Sequence, residues 1–208
     1  STPLDSNRFS DEFGTIWKRG NIPHVEKLAL ENPTLENYSF PDMSTAEHFE
    51  PIPKWLNKYD DRFKVVQLGQ PLFDRAWILR GFENLMMDFY DSPEFVQQLL
   101  ENLEEQCSKM IDVLMENWSD QIDAVGFADD FGSQNGMLVD PQTWRRFIKP
   151  VLKRLYKQVE NAGKYVYAHT CGNVLPIIPD FIEIGLDILQ PIQPEVMDIF
   201  AIKKEFGR

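Results

Sequence analysis

The chain has 208 residues, of which 43% are hydrophobic and 26% charged, an ordinary composition for a globular protein that predicts a single domain. Its formal charge of −12 and isoelectric point near 4.7 oppose binding to phosphate backbones and anionic lipids, so we expect neither nucleic acid nor a membrane as a partner. The sequence shows no long apolar run, no signal-peptide pattern at its start and only two cysteines, Cys107 and Cys171, so we expect a cytoplasmic protein with reduced thiols.

The first sixty residues are predicted to be largely irregular. Prolines interrupt any long periodic element there: Pro23, Pro33, Pro41, Pro51 and Pro53. A short strand is expected over residues 13–17. A second strand, over residues 63–69, is indicated by an apolar, β-branched run that ends at a glycine, and a helix should follow it.

The clearest helix signal spans residues 93–118. Asp91 or Ser92 can serve as the N-cap, Pro93 takes the first helical position and Glu94 lies in the first turn. The apolar residues recur at spacings of three and four: Val96, Leu99, Leu100, Leu103, Cys107, Met110, Ile111, Leu114 and Trp118. This spacing predicts that one face of the helix packs on a core and that Cys107 belongs to that face.

Strands and helices then alternate along the chain. The predicted order is a strand over 123–128, a helix from Asp140 that Pro150 should kink or split, a strand over 165–168, a helix that Gly185 closes and a strand from Asp187. Apolar strands that alternate with helices predict an α/β protein with a parallel sheet. The pattern fits either an open, doubly wound sheet or a closed barrel.

Polar residues cluster where these predicted strands end. The clusters are Asp129-Asp130, His169-Thr170-Cys171 and Gln190-Pro191-Ile192-Gln193. Active sites of parallel α/β folds lie at the carboxyl ends of the strands, so we expect the clusters to share one edge of the sheet. The alternative is that they are solvated turn residues without a chemical role, since Asp and Gln are common in such turns.

The pair His169 and Cys171 can bind a metal ion. Residues two positions apart on an extended chain point to the same side, so both side chains can reach one zinc ion. A third ligand would have to come from Asp129, Asp130, Glu83 or residues beyond Arg208. The alternative is a hydrogen-bonded histidine beside a half-buried cysteine. The positive end of a helix predicted near residues 173–176 would lower the pKa of the Cys171 thiol even without a metal.

Several ordered motifs carry a family resemblance. They are Asp74-Arg75-Ala76-Trp77, Arg80-Gly81-Phe82-Glu83, Asp129-Asp130-Phe131-Gly132-Ser133-Gln134, Trp144 to Pro150, His169-Thr170-Cys171-Gly172-Asn173-Val174, Ile184 to Leu189 and Gln193-Pro194-Glu195. In this order they resemble the uroporphyrinogen decarboxylase superfamily, and most of all its cobalamin-dependent methyltransferase branch. The similarity is densest from about residue 74 to the end.

The resemblance implies a (β/α)8 TIM barrel, which favours the closed form of the parallel sheet. The predicted strands give at most five of the eight that a barrel needs: they lie near residues 13–17, 63–68, 123–128, 165–168 and 187–190. We therefore expect residues 1–208 to form a single barrel domain of this family that is incomplete, with its C-terminal strands following Arg208.

The resemblance also implies methyl transfer. The donor would be a methylated corrinoid, either a corrinoid protein or methylcobalamin, and the acceptor a small molecule, a thiol or tetrahydrofolate. His169 and Cys171 match the zinc-binding His-x-Cys of that branch, whose later cysteine has no counterpart here. We assign zinc binding to this pair, catalysis to Asp129 and Asp130, and substrate binding to Arg80, Glu83, Gln134, Asn173, Gln190 and Gln193.

Two other functions compete with methyl transfer. Uroporphyrinogen decarboxylase itself, an enzyme of porphyrin and haem biosynthesis, needs no metal and holds its substrate with arginines of an N-terminal Arg-Gln-Ala-Gly-Arg-Tyr-type loop, which this sequence lacks. The second alternative is a non-catalytic corrinoid-binding protein or an inert fragment with an open barrel. Stoichiometric zinc would favour the methyltransferase over the decarboxylase.

Overall fold

The computed structural model describes residues 1–207, and from residue 52 onward helices lie between the successive strands of a parallel sheet. The strands are β1 (Thr2–Pro3), β2 (Arg8–Ser10), β3 (Ile16–Lys18), β4 (His24–Lys27), β5 (Val65–Gln67), β6 (Ala124–Ala128), β7 (Gly132–Ser133), β8 (Gly136–Met137), β9 (Tyr165–His169) and β10 (Ile188–Gln190). The α-helices are α1 (Ile52–Lys58), α2 (Phe73–Arg80), α3 (Phe82–Asp91), α4 (Pro93–Trp118), α5 (Pro141–Phe147), α6 (Lys149–Asn161), α7 (Ile178–Glu183) and α8 (Ile199–Phe206). None of them is long and apolar enough to span a membrane.

The centre of the fold is a parallel sheet with the strand order β10-β9-β6-β5. The predicted α/β class with a parallel sheet is therefore confirmed. Neighbouring strands follow each other in chain order without a reversal, which is the arrangement of strands in a (β/α) barrel and differs from the strand-order reversal of a doubly wound sheet. Four strands make half of the eight that a closed barrel contains.

The N-terminal segment differs from its prediction. Strands β1 to β4 form a separate antiparallel sheet, so the strand predicted over residues 13–17, present as β3, does not belong to the parallel sheet. The parallel sheet therefore has four strands, within the maximum of five that the sequence indicated. Strands of two to four residues are too short to show alternation in the sequence. Pro53 lies at the start of the seven-residue helix α1, where proline is tolerated.

The predicted helices of the middle of the chain are confirmed. Helix α4 spans residues 93–118 as predicted and buries the expected face, including Cys107. Asp140 caps α5 by accepting hydrogen bonds from the backbone of Gln142 and Thr143. The helix predicted after it is split into α5 and α6, and Pro150 lies in the first turn of α6, where its missing N–H has no helical partner to lose.

The register of the parallel sheet places the candidate residues side by side. Ala128, at the end of β6, pairs with His169 at the end of β9, and His169 pairs with Gln190 at the end of β10. The segments that follow these strands therefore leave the sheet from the same edge. This edge holds the predicted polar clusters, as expected for parallel strands that end together.

Candidate functional site

Three side chains with metal-binding atoms meet at this edge of the sheet. Asp130, His169 and Cys171 each offer one ligand atom, and these atoms lie within 4.8 Å of one another. All three residues are partly exposed, so a ligand can reach them from solvent. Within residues 1–207 this is the only group of three or more such side chains that could hold a metal ion.

His169 and Cys171 face each other closely. The Nε2 atom of His169 lies 3.5 Å from the Sγ atom of Cys171. In a tetrahedral zinc site, with Zn–N and Zn–S bonds of about 2.1 and 2.3 Å, the nitrogen and sulfur atoms lie roughly 3.6 Å apart. The observed separation therefore fits a shared zinc ion. It also allows the thiol to donate a hydrogen bond to Nε2 when no cation is bound.

Asp130 supplies the third possible ligand atom and also forms a hydrogen bond with the backbone of Cys171. Its Oδ1 atom accepts a 2.7 Å hydrogen bond from the backbone N–H of Cys171. A carboxylate has about four lone-pair sites, so this bond leaves acceptor capacity for a cation. A histidine nitrogen, a thiolate and a carboxylate are the donor set of zinc, and three protein ligands leave a fourth position open for a substrate.

The electrostatics around Cys171 differ from the prediction. Burial raises the pKa of the Cys171 thiol, and the negative charge of Asp130 raises it further. The helix predicted to lower this pKa begins with a three-residue 3-10 turn, Leu175–Ile177, and α7 starts only at Ile178. A single 3-10 turn carries little of a helix dipole, so the nearby carboxylate dominates and the predicted direction was wrong.

Asp74 is a member of this neighbourhood that the sequence did not single out. The residue is buried, and its Oδ2 atom accepts hydrogen bonds from the backbone N–H of Asp130 at 3.4 Å and from the side chain of Gln70 at 3.0 Å. Burial raises the pKa of Asp74, and the charge of Asp130 raises it further, against the hydrogen bond from Trp77. Two neighbouring carboxylates form a local negative field that a bound cation would relieve.

Asp129 has a different position from Asp130, although the two are adjacent in sequence. The residue is only 2% exposed, and its carboxylate accepts hydrogen bonds from the backbone N–H groups of Leu72, at 3.2 Å, and Asp74, at 2.8 Å. These N–H groups lie at the beginning of α2, where they have no partner within the helix. Asp129, which directly follows β6, therefore caps that helix. Its contacts are those of a structural cap and give no support to the catalytic role predicted for it. Burial raises the pKa of this carboxyl well above its usual range.

Replacement of Asp129 by alanine tests this division of roles. The substitution leaves two buried N–H groups without an acceptor, and we expect it to lower the free energy of unfolding by about 2 kcal/mol. Denaturant unfolding of the folded, metal-free protein measures the change. Asp130→Ala serves as the matched control, because Asp130 is partly exposed and should affect stability less and metal content more. Equal loss of zinc in the two variants, with equal stability, would contradict the assignment.

Arg80 and Glu83 do not join the site. Arg80 is buried, with Nε donating to Asp88 at 2.7 Å and Nη1 donating to the carbonyl oxygen of Glu31 at 2.8 Å. A buried guanidinium that is already paired holds the fold together and is not available to a substrate, so its contacts oppose the predicted binding role. Glu83 lies exposed in the first turn of α3 and is not part of the metal-binding group.

The remaining predicted substrate-binding residues lie at the same edge of the sheet, and three of them use their side chains on the protein. Asn173 Oδ1 accepts from the backbone N–H of Leu175, and Gln193 Oε1 accepts from that of Gly172. Gln190 Oε1 accepts from Tyr167 and His169. Gln134 is exposed at the turn between β7 and β8 and is free to contact a ligand.

Comparisons with known proteins agree with this architecture. The sequence model of one family, uroporphyrinogen decarboxylase (URO-D), matches residues 14–202. Among solved structures, a methyltransferase from Methanosarcina mazei has a similar fold, with a TM-score of 0.64 and 21% sequence identity over 86% of this chain and 52% of that chain. This chain therefore spans about half of the length of that structure, and at this identity the similarity shows the fold alone. No curated protein sequence matches the chain.

Proposed function

The chain belongs to the uroporphyrinogen decarboxylase (URO-D) family, and we propose that it is a corrinoid-dependent methyltransferase in which Asp130, His169 and Cys171 bind a zinc ion. The proposal rests mainly on the convergence of these three side chains where the parallel strands end. A solved methyltransferase with a similar fold is consistent with it. Zinc and a corrinoid are the groups that the proposal requires.

The chemistry of the three ligands supports transfer to a thiol. A divalent cation held by them would bind an acceptor thiol as its thiolate near neutral pH. His169 and Cys171 would fix the position of the acceptor through their own atoms, Nε2 and Sγ, which already lie 3.5 Å apart. Asp130 would hold the Cys171 backbone and contribute negative charge that favours a cation over an anion in this place.

The transfer itself balances without further reactants. The thiol proton leaves to solvent, and the sulfur lone pair forms a bond to the methyl carbon. The carbon–cobalt bond breaks with both electrons remaining on cobalt, which gives a methyl thioether and a cob(I)amide. The protein has to place the acceptor in line with the carbon–cobalt bond, and fixed positions of this kind supply much of the acceleration in displacement reactions. Tetrahydrofolate remains the second acceptor that the proposal allows.

Decarboxylation of uroporphyrinogen is the less favoured function. Its substrate carries several carboxylates, whereas this edge of the sheet holds Asp74 and Asp130. Arg80, one of the basic residues available as a clamp, is buried in an ion pair with Asp88. The local charge is therefore the wrong sign for a polyanion.

An assay with defined substrates tests the proposal. Zinc-loaded protein is incubated with methylcobalamin and a thiol or tetrahydrofolate, and we expect the absorbance of cob(I)alamin to appear together with the methylated acceptor, identified by mass spectrometry. The same protein incubated with uroporphyrinogen should release no carbon dioxide. Release of carbon dioxide without methyl transfer, and without dependence on added zinc, would assign the decarboxylase function instead.

A further inference from the structure

Three side chains on the surface of the sheet are joined by hydrogen bonds: Tyr167, Gln190 and His169. Tyr167 and His169 are two residues apart on β9 and therefore lie on the same face, and Gln190 is the neighbour of His169 on β10. The Oε1 atom of Gln190 lies 2.7 Å from the hydroxyl oxygen of Tyr167 and 2.7 Å from Nδ1 of His169. One amide oxygen thus accepts from two neighbours.

This contact decides which nitrogen of His169 carries the proton. An amide oxygen only accepts hydrogen bonds, so the imidazole has to donate from Nδ1. In the neutral ring the lone pair is then on Nε2, the atom that faces Cys171 at 3.5 Å. The opposite tautomer would present an N–H to Cys171 and could not bind a cation there.

The Tyr167 hydroxyl contacts the same side-chain amide. It donates to the same oxygen, so two donors meet one acceptor when Oε1 faces inward. If the amide of Gln190 turned over, its NH2 group would face the imidazole, and Nδ1 would have to accept instead. The backbone also anchors Gln190, because its carbonyl oxygen accepts a 3.0 Å hydrogen bond from the N–H of Thr170.

From this geometry we infer that Tyr167 and Gln190 are positioning residues that hold His169 in the Nδ1–H tautomer and direct Nε2 to the cation that it shares with Cys171. The inference rests on the proposed function, because it assigns these residues a task in the zinc site. It also changes the role predicted for Gln190. The side-chain oxygen of Gln190 accepts a hydrogen bond from His169, so only its NH2 group is left to contact a substrate. In general, a hydrogen-bond acceptor on the ring nitrogen that faces away from the metal orients a metal-binding histidine.

Zinc affinity of a graded set of variants tests the inference. Gln190→Leu removes the acceptor with little change in size, and we expect zinc affinity, measured by competition with a chromophoric chelator, to fall about 10–100-fold. Gln190→Glu keeps an oxygen acceptor and should restore affinity close to that of the wild type. Tyr167→Phe should have a smaller effect in the direction of Gln190→Leu. Equal affinities for the wild type and Gln190→Leu would overturn the inference.

The tautomer itself can be read without any metal. In 15N-histidine-labelled, metal-free protein we expect the His169 ring to show a protonated Nδ1 and an unprotonated Nε2, with His169→Asn used to assign its signals among those of the three histidines. Gln190→Leu should shift the ring toward the other tautomer while thermal unfolding shows an intact fold. An unchanged tautomer in that variant overturns the inference, whereas a wild-type protein with this tautomer and no zinc overturns the proposed function.

Discussion

The Cys171→Ala variant is expected to lose stoichiometric zinc and, with it, methyl transfer from methylcobalamin to a thiol. Cys171 is one of the three proposed ligands, and removing it leaves Asp130 and His169, too few to hold zinc at the micromolar concentrations of an assay. We expect the zinc content after dialysis to fall from about one ion per chain to a small fraction of that value. Elemental analysis of the purified protein measures it, and the cob(I)alamin assay follows the activity.

Cys107→Ala is the matched control for this experiment. Cys107 lies in the face of α4 that packs on the core, is 4% exposed, and its Sγ atom lies 3.9 Å from the carbonyl oxygen of Pro71. Burial raises the pKa of its thiol, and Cys107 is not part of the group of side chains that could hold a metal ion. Its replacement should reduce stability and leave zinc content unchanged. Full zinc occupancy in Cys171→Ala, or loss of zinc in Cys107→Ala alone, would refute the assignment of the ligands.

Gly172→Ala is expected to destabilise the protein and to disrupt the site in one step. Gly172 has φ +78°, and a β-carbon there would overlap the backbone of Gly132 and Ser133. The left-handed conformation costs an alanine about 1–2 kcal/mol and the overlap adds about 1–3 kcal/mol, so we expect the free energy of unfolding to fall by roughly 2–5 kcal/mol. The overlap is with backbone atoms, which cannot turn aside as a flexible side chain can.

The same close approach joins the loops that carry Asp130 and Cys171, two of the proposed ligands. Asn173 N–H donates to the carbonyl oxygen of Ser133 at 2.9 Å, and Cys171 N–H donates to Asp130. Pushing these segments apart would separate Asp130 from Cys171, so zinc affinity should fall together with stability. The measurements are denaturant unfolding and the chelator competition used above.

Gly163→Ala separates backbone strain from steric overlap. Gly163 has a similar φ of +71°, but a β-carbon there would meet no atom within 4 Å. We expect it to cost only the conformational part, about 1–2 kcal/mol, and to keep zinc affinity unchanged. The contrary result is that Gly172→Ala and Gly163→Ala are equally stable and bind zinc equally well. That result would show that the close contact of Gly172 with Gly132 and Ser133 does not determine the geometry of the site.

The sequence by itself determined the elements with strong local signals. Helix α4 has the predicted bounds because Pro93 fixes its first turn and its apolar residues repeat at helical spacing. The α/β class followed from apolar strands that alternate with helices, and the polar residues at strand ends indicated where the candidate metal-binding group lies. The juxtaposition of His169 and Cys171 was also predictable, because residues two apart on an extended chain share a face.

Only the tertiary structure decided what the neighbouring residues do. Asp129 and Asp130 look alike in sequence, yet one caps α2 and the other joins the metal-binding group, because consecutive residues of an extended segment point to opposite sides. The roles of Asp74, Tyr167 and Gln190 likewise depend on partners that lie on other strands or helices. Local periodicity reports burial and secondary structure, whereas a side chain's chemical role is set by long-range contacts, which exist only after the strands have taken their register.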